Sequence, residues 1–204
     1  MHWQLLKIIH DEVFDSFLGC HRLQSAIQKL TDEYEESSRE KFQPRSQIIN
    51  LNKQAFLYPV ILSTYSIFET LLHRLCKEIE SGFSISESSA PFDNYKLHEI
   101  KTFLKGKDTE TEWKTNVWDK ISEDKKQNLI AFQRLRNCLA HYNGDFKAIP
   151  EDRLKIFECI KHIDGVELSH NKTVLLSSEF TYRYIEYLSA FVYEVIEQYK
   201  NAMK

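Results

Sequence analysis

The sequence predicts an all-α fold, a helical bundle with long N-terminal helices and a small β-hairpin near residues 165–176. Apolar residues repeat at steps of three and four over long stretches of the chain, which is the helical period. Five glycines and four prolines in 204 residues leave few points where a helix must break. Strand-like alternation is confined to VELSHNKTVLL, where two short arms flank His170 and Asn171.

The first helix is predicted over residues 2–40, and its end near residue 42 is set by a highly charged stretch followed by Pro44. One apolar stripe runs along it with a single gap at Gln24. The members of that stripe are Leu6, Ile9, Val13, Phe17, Cys20, Ile27, Leu30 and Tyr34.

The second helix is predicted over about residues 50–80. It carries two adjacent apolar stripes, which indicate a helix packed on several sides. Pro59 lies inside this pattern and predicts either a kink or a later start. The serine-rich stretch 81–95 predicts a loop.

The rest of the chain alternates between helices and short irregular segments. Ser122 is a possible N-cap, Gly144 follows the end of a main helix, and Ser178 is expected to cap the last one. The predicted helices are 96–106, 121–142, 151–162 and 179–201, and the polar stretch 107–120 has no clear period.

Composition excludes some classes of protein. Net charge is −3 and the pI is about 6.3, which disfavours a broad basic face for nucleic acid but leaves room for a small basic cleft. Four scattered cysteines without a C-x-x-C pair indicate free thiols and a reducing compartment. The N-terminus is too charged for a signal peptide, and no apolar run approaches the roughly 18 residues of a membrane span. We therefore expect a cytoplasmic protein without a membrane partner.

The helix over 121–142 carries Arg136, Asn137 and His141 within six positions. Arg136 continues the apolar stripe of Leu129 and Phe132, where a guanidinium needs a negative partner, either a protein carboxylate or a ligand phosphate. At about 100° per residue, Asn137 and His141 share a face, while Arg136 lies about 140° from His141. From spacing alone, such residues are usually solvated or form a satisfied core pair.

The six residues from Arg136 to His141, RNCLAH, resemble the R-x4-6-H motif of the HEPN superfamily in its R-N-x-x-x-H form. The setting is also similar, since a long aromatic-rich helix containing Glu69, YSIFETLLHRLCKE, precedes it. The resemblance covers roughly residues 50–200 of a single domain spanning 1–204. Residues 1–45 look like an added N-terminal helix.

The resemblance implies a compact helical ribonuclease that needs no metal or other cofactor. Arg136, His141 and Asn137 would then be the catalytic group, with Asn137 supporting the other two. The 2′-OH of RNA would attack the adjacent phosphate to give a 2′,3′-cyclic phosphate. The family also implies a homodimer with two motifs at one cleft, a toxin–antitoxin or antiphage setting, and an antitoxin or defence-system partner. Some members only bind nucleotides or partners, and this is the alternative.

Two further residues have open roles under this resemblance. Glu69 either pairs with Arg136 or His141 across a helix interface, or is a solvated carboxylate. Tyr142 departs from the R-x4-H-x-Y form of some HEPN toxins because it stands one place early. It either stacks on a base or covers the helix end, and the second reading is favoured.

Other candidate sites are weaker. Cys159 and His162 share a helical face, but no second pair at metal-binding spacing accompanies them, so no metal site is predicted. His73 and Arg74 are expected to face solvent rather than line a cleft. The two tryptophans of the 107–120 stretch, Trp113 and Trp118, are expected to pack rather than to stack on bases. Motifs for P-loop, zinc-protease and serine-hydrolase chemistry are absent from the sequence.

Overall fold

The computed structural model of the chain describes residues 2–41, 46–82, 104 and 117–202. Within them the fold is all-α with one small antiparallel hairpin, as the sequence predicts. The α-helices are α1 His2–Lys41, α2 Ser46–Gly82, α3 Val117–Lys120, α4 Glu123–Tyr142, α5 Glu151–Phe157 and α6 Ser178–Ala202. Two 3-10 helices, Phe146–Ala148 and Glu158–His162, and the strands β1 Val166–Leu168 and β2 Val174–Leu176 complete the order.

Several predicted elements lie wholly or largely outside the described residues. These are the loop at 81–95, the helix at 96–106 and most of the polar stretch that contains Trp113. Leu104 is helical and buried, which agrees with the predicted helix at that position.

The hairpin pairs Val166 with Leu176 and Leu168 with Val174. Ser169 N–H donates to the Thr173 carbonyl at 2.8 Å and closes the turn. A two-stranded hairpin this short is marginal by itself. Val166, Val174 and Leu176 are buried, so its stability comes from packing on the helices.

The chain divides into two compact units. The first contains Met1–Ser16, Ser66–Lys126 and Leu188–Lys204, and the second contains Phe17–Tyr65 and Gln127–Tyr187. Helices α1, α2, α4 and α6 each contribute residues to both units.

The first unit has an aromatic core. The ring of Phe191 lies 5.9 Å from that of Phe68 and 6.3 Å from that of Trp118. Trp118 is therefore a packing residue, as expected. His73 is only 4% exposed, so the expectation that it faces solvent is wrong, because it lies on the packed side of α2. Arg74 is exposed and forms an ion pair with Glu12 at 2.5 Å.

The second unit buries two amide side chains, and both bind backbone. Gln24 Nε2 donates to the Ser178 carbonyl at 3.1 Å. Gln54 donates to the Leu176 carbonyl at 3.2 Å and accepts from the Leu176 N–H at 2.9 Å. The gap in the apolar stripe of α1 is thus filled by a buried polar residue whose amide nitrogen has a partner, while its Oε1 has none among the described residues.

One local prediction is narrowed and a second needs correction. Helix α2 begins at Ser46 and continues through Pro59, so the proline does not delay its start. Pro59 is exposed, and water can reach the backbone carbonyl that lacks its usual donor. The cap of α6 is Ser177 rather than Ser178, because Ser177 Oγ accepts from the Phe180 N–H at 2.9 Å.

The Lys53–Lys77 stretch of α2 is long and apolar enough to cross a membrane, judged by length and composition. The expectation that no stretch of this kind exists is therefore wrong. Half of the apolar window is buried within the fold, and a core helix of a soluble protein meets the same criterion.

Candidate functional site

Helix α4 ends immediately after the RNCLAH segment, through two residues with left-handed backbone. Asn143 has φ +49° and Gly144 has φ +73°. The Gly144 N–H donates to the Cys138 carbonyl at 3.2 Å, the bond expected at a glycine-terminated helix. His141 therefore lies in the last helical turn, where the sequence predicts it.

The hairpin holds this helix end in place. The Val174 N–H donates to the Gly144 carbonyl at 2.8 Å, and the Phe146 N–H donates to the Lys172 carbonyl at 3.1 Å. On the other side, Tyr58 Oη donates to the Val174 carbonyl at 2.5 Å. These bonds tie the turn after His141 to both the hairpin and α2, so the last turn of α4 does not depend on helix propensity alone.

Glycine is required at position 144 for two reasons. Its positive φ disfavours residues with a side chain, and a Cβ there would lie 2.9 Å from Cζ of Tyr58. The close approach of the α4 terminus to Tyr58 is possible only without a side chain.

Arg136 and Asn137 are brought together in the second unit. Both are half-buried, and Arg136 Nη1 donates to Asn137 Oδ1 at 3.0 Å. The guanidinium carbon of Arg136 lies 5.7 Å from the centre of the Tyr65 ring, within the range of a cation–π interaction. Asn137 and Tyr65 therefore restrict the orientation of the guanidinium.

His141 is exposed, in contrast to Arg136. Its ring lies 6.4 Å from that of Tyr142 in an edge-on arrangement. The Tyr142 ring in turn packs edge-on against Phe157 of α5 at 5.7 Å. Tyr142 thus covers the side of the helix end while leaving the imidazole accessible to solvent.

Glu69 is half-buried on α2 and belongs to the first unit, whereas Arg136 and His141 belong to the second. Its pairing with either residue stays a prediction.

Two buried neutral groups lie at the RNCLAH segment, Cys138 within it and Tyr58 of α2. Cys138 is fully buried, and burial together with the nearby Asp145 carboxylate raises the pKa of its thiol to about 12. Burial and the neighbouring Cys138 also raise the pKa of Tyr58. Both groups are therefore neutral at physiological pH, and neither offsets the positive charge of Arg136.

Sequence reasoning missed a second group of residues, which line a cavity elsewhere in the second unit. Cys159 and His162 are among them, together with Asn128, Asp164 and Arg183. The sequence suggested Cys159 and His162 only as metal ligands. Within the described ranges, no cluster of three or more His, Cys, Asp or Glu side chains has the proximity to hold a metal ion.

Comparison with family models, curated proteins and solved structures finds no match for this chain. The function is therefore inferred from the residues and their geometry.

Proposed function

We propose that this chain is a metal-independent endoribonuclease of the toxin or phage-defence type, resembling HEPN ribonucleases, with Arg136, Asn137 and His141 as its catalytic group. The observation that carries the proposal is the combination of an anchored, half-buried arginine with an exposed histidine at the fixed end of one helix.

The role of Arg136 is to bind phosphate. A guanidinium remains charged at all physiological pH values and its fork of donors matches phosphate oxygens. Asn137 and Tyr65 hold this group in one region, so less side-chain freedom is lost when a phosphate binds. Electrostatic stabilisation of charge developing on phosphorus is a large term in catalysis when the donors are already oriented.

The role of His141 is proton transfer. An imidazole exchanges protons near neutral pH, and the exposed position of His141 makes it accessible to the ribose. In the proposed step the 2′-oxygen loses its proton and bonds to phosphorus, while the bond from phosphorus to the 5′-oxygen breaks. The leaving 5′-oxygen takes up a proton. The products are a 2′,3′-cyclic phosphate and a 5′-OH, and no metal or other cofactor enters the balance.

Two identical subunits would explain how residues about 140° apart around one helix act on one phosphate. If two copies contribute their α4 ends to one cleft, Arg136 of one copy and His141 of the other border the same groove. A homodimer therefore belongs to the proposal, and an antitoxin or defence-system protein is the expected partner that controls it.

The test is cleavage of single-stranded RNA by the purified chain and its variants. His141→Ala should lower the cleavage rate by about 10²- to 10⁴-fold, the range for loss of a general acid–base group. Arg136→Ala should lower it by about 10²- to 10³-fold, the range for loss of one group that stabilises charge in the transition state. The product 3′ ends should resist ligation until the cyclic phosphate is removed. A substrate with a 2′-deoxy sugar at the cut site should remain intact, and EDTA should have no effect.

Matched controls are His170→Ala and Arg153→Ala, which remove an exposed histidine and an exposed arginine outside α4. Both should retain full activity. Undiminished cleavage by the His141→Ala protein, or a strict requirement for Mg²⁺, would contradict the mechanism.

A binding module without catalysis is the second candidate. The contacts of Arg136 with Asn137 and Tyr65 favour it, because an anchored arginine also suits stable binding of a nucleotide phosphate or an acidic group of a partner protein. Under this alternative, mononucleotides raise the melting temperature of the wild-type chain but not of Arg136→Ala, and no RNA is cut.

A further inference from the structure

A cavity of about 470 Å³ lies within the second unit. Three segments border it, namely residues 127–132 of α4, residues 159–164 and residues 180–187 of α6. Its volume falls in the range of small-molecule sites. Arg136, Asn137 and His141 do not line it, so its role goes beyond the proposed ribonuclease function and does not rest on it.

One wall of the cavity is aromatic. The Phe132 ring lies 4.7 Å from that of Tyr184, 4.9 Å from that of Tyr187 and 6.0 Å from that of Phe180. Phe132, Phe180 and Tyr184 are buried and Tyr187 is half-exposed. Tyr184 and Phe180 are 0% and 2% exposed, so they support the wall from behind, and the ring surface that an occupant can reach belongs to Phe132 and Tyr187. Such a surface favours a flat ring as the occupant, through stacked or edge-to-face packing.

Polar groups also line the cavity. Gln127 and Asn128 expose amide side chains that both donate and accept hydrogen bonds. His162 adds an imidazole. The edge of a heteroaromatic ring carries donors and acceptors that suit such groups, whereas a hydrocarbon ring leaves them without partners.

The charges around the cavity disfavour an anion. Arg183 Nη1 donates to Asp164 Oδ2 at 2.6 Å, and Arg183 Nε lies 4.0 Å from the carboxylate of Glu179. Two carboxylates therefore offset the guanidinium. Gly165, with φ +83°, lets the chain that carries Asp164 approach α6, since a Cβ there would lie 2.9 Å from Phe180 Cβ. This ion pair is exposed to solvent at the rim, and a phosphate entering the cavity would meet carboxylates as well as the cation.

We propose that this cavity binds an uncharged, planar heteroaromatic molecule of the size of a nucleobase or nucleoside. The ring packs against Phe132 and Tyr187, and its polar edge is bound by Gln127 and Asn128.

Cys159 provides a reporter of occupancy. It is half-exposed at the cavity, where its Sγ accepts from Arg134 Nη1 at 3.4 Å and donates to the Ile156 carbonyl at 3.6 Å. The other three cysteines, Cys20, Cys76 and Cys138, are 3%, 0% and 0% exposed. A thiol reagent applied to the folded protein should therefore label Cys159 first.

The experiment measures the rate of Cys159 alkylation by iodoacetamide, followed by intact mass, with adenosine, guanosine, cytidine and uridine as probes. At a concentration about ten times Kd, a bound nucleoside should slow labelling about tenfold, because only the unoccupied fraction reacts. The corresponding monophosphate should protect no better than the nucleoside. Cys159→Ser should remove the labelling event itself.

Two variants locate the protection. Ala131→Leu fills the cavity from α4 and should abolish protection, while Ala55→Leu makes the same change at an exposed position of α2 and should retain it. Absence of protection by all four nucleosides at millimolar concentration would overturn the proposal. Unchanged protection in Ala131→Leu would overturn the location, and much stronger protection by a monophosphate would overturn the uncharged ligand class.

Discussion

The two halves of α4 within the second unit differ in what they present. Residues 136–142 carry an arginine, an asparagine and a histidine near a helix end fixed by backbone bonds to the hairpin. Residues 127–132 carry two amides and a phenylalanine that border a cavity. The first half is readable from one short stretch of sequence. The residues of the second half form a cavity only together with segments about 30 and 55 residues further along the chain. One helix therefore combines a local motif with a site built from distant parts of the sequence.

The largest expected effect tests whether the two halves of α4 act independently. His141→Ala should abolish most RNA cleavage, a loss of about 10²- to 10⁴-fold, and leave nucleoside protection of Cys159 unchanged. Ala131→Leu should abolish the nucleoside protection of Cys159 and leave RNA cleavage unchanged. Cleavage and alkylation rates measured on the same protein preparations check both.

If His141→Ala also removes the protection of Cys159, the two halves of α4 are not independent, because they would then belong to one site. Far-ultraviolet circular dichroism of each variant excludes a folding defect as the cause.

An intermediate effect is expected at Gly144, which links the motif to the hairpin. Gly144→Ala should lower the free energy of unfolding by about 2–5 kcal/mol, since a positive φ costs a non-glycine residue and the new Cβ would clash with Tyr58. Urea denaturation measures the change. The matched control is Gly19→Ala on α1, where a Cβ meets nothing within 4 Å. It should stabilise the helix by about 0.5–1 kcal/mol.

Equal destabilisation by Gly144→Ala and Gly19→Ala would contradict the close packing of the α4 terminus. In that case the hairpin would not be what fixes His141.

The smallest effect is a pH dependence that reports on Cys138, the buried thiol within the motif. The folded state raises the pKa of Cys138 to about 12 from an ordinary value of 9.0. Its contribution to stability is therefore fully present below pH 9 and is lost as pH rises towards 12, because the unfolded chain releases the thiol proton first. The free energy of unfolding should fall with a slope of at most about 1.4 kcal/mol per pH unit from this group.

Urea denaturation at a series of pH values between 8 and 11 measures this slope. Cys138→Ala should reduce the slope above pH 9, whatever its effect on stability at neutral pH. An identical slope in the variant would show that the thiol is not buried as described.

The sequence predicts local features well where local interactions decide them. The end of α4 just before Gly144 and the hairpin around His170 and Asn171 follow from turn chemistry and periodicity, and the structure confirms both. The cap of α6 was displaced by one residue, from Ser178 to Ser177. Adjacent serines have the same propensity, and only the path of the chain into the helix selects between them.

Longer-range features were not predictable in this way. The polar Gln24 can be buried because its Nε2 donates to the Ser178 carbonyl, which is 154 residues away in the sequence. His73 is buried although its sequence neighbours suggested exposure. In both cases the environment of the side chain is created by packing, which periodicity alone does not specify.

The sequence by itself determined the helical class, the hairpin and the identity of the RNCLAH residues, because backbone periodicity and residue chemistry are local properties. Only the tertiary structure decided that Arg136 lies against Tyr65 while His141 is exposed, and that Phe132 and Cys159 border one cavity. The physical reason is that burial and proximity depend on which distant segments pack together, and that choice is made by the whole core.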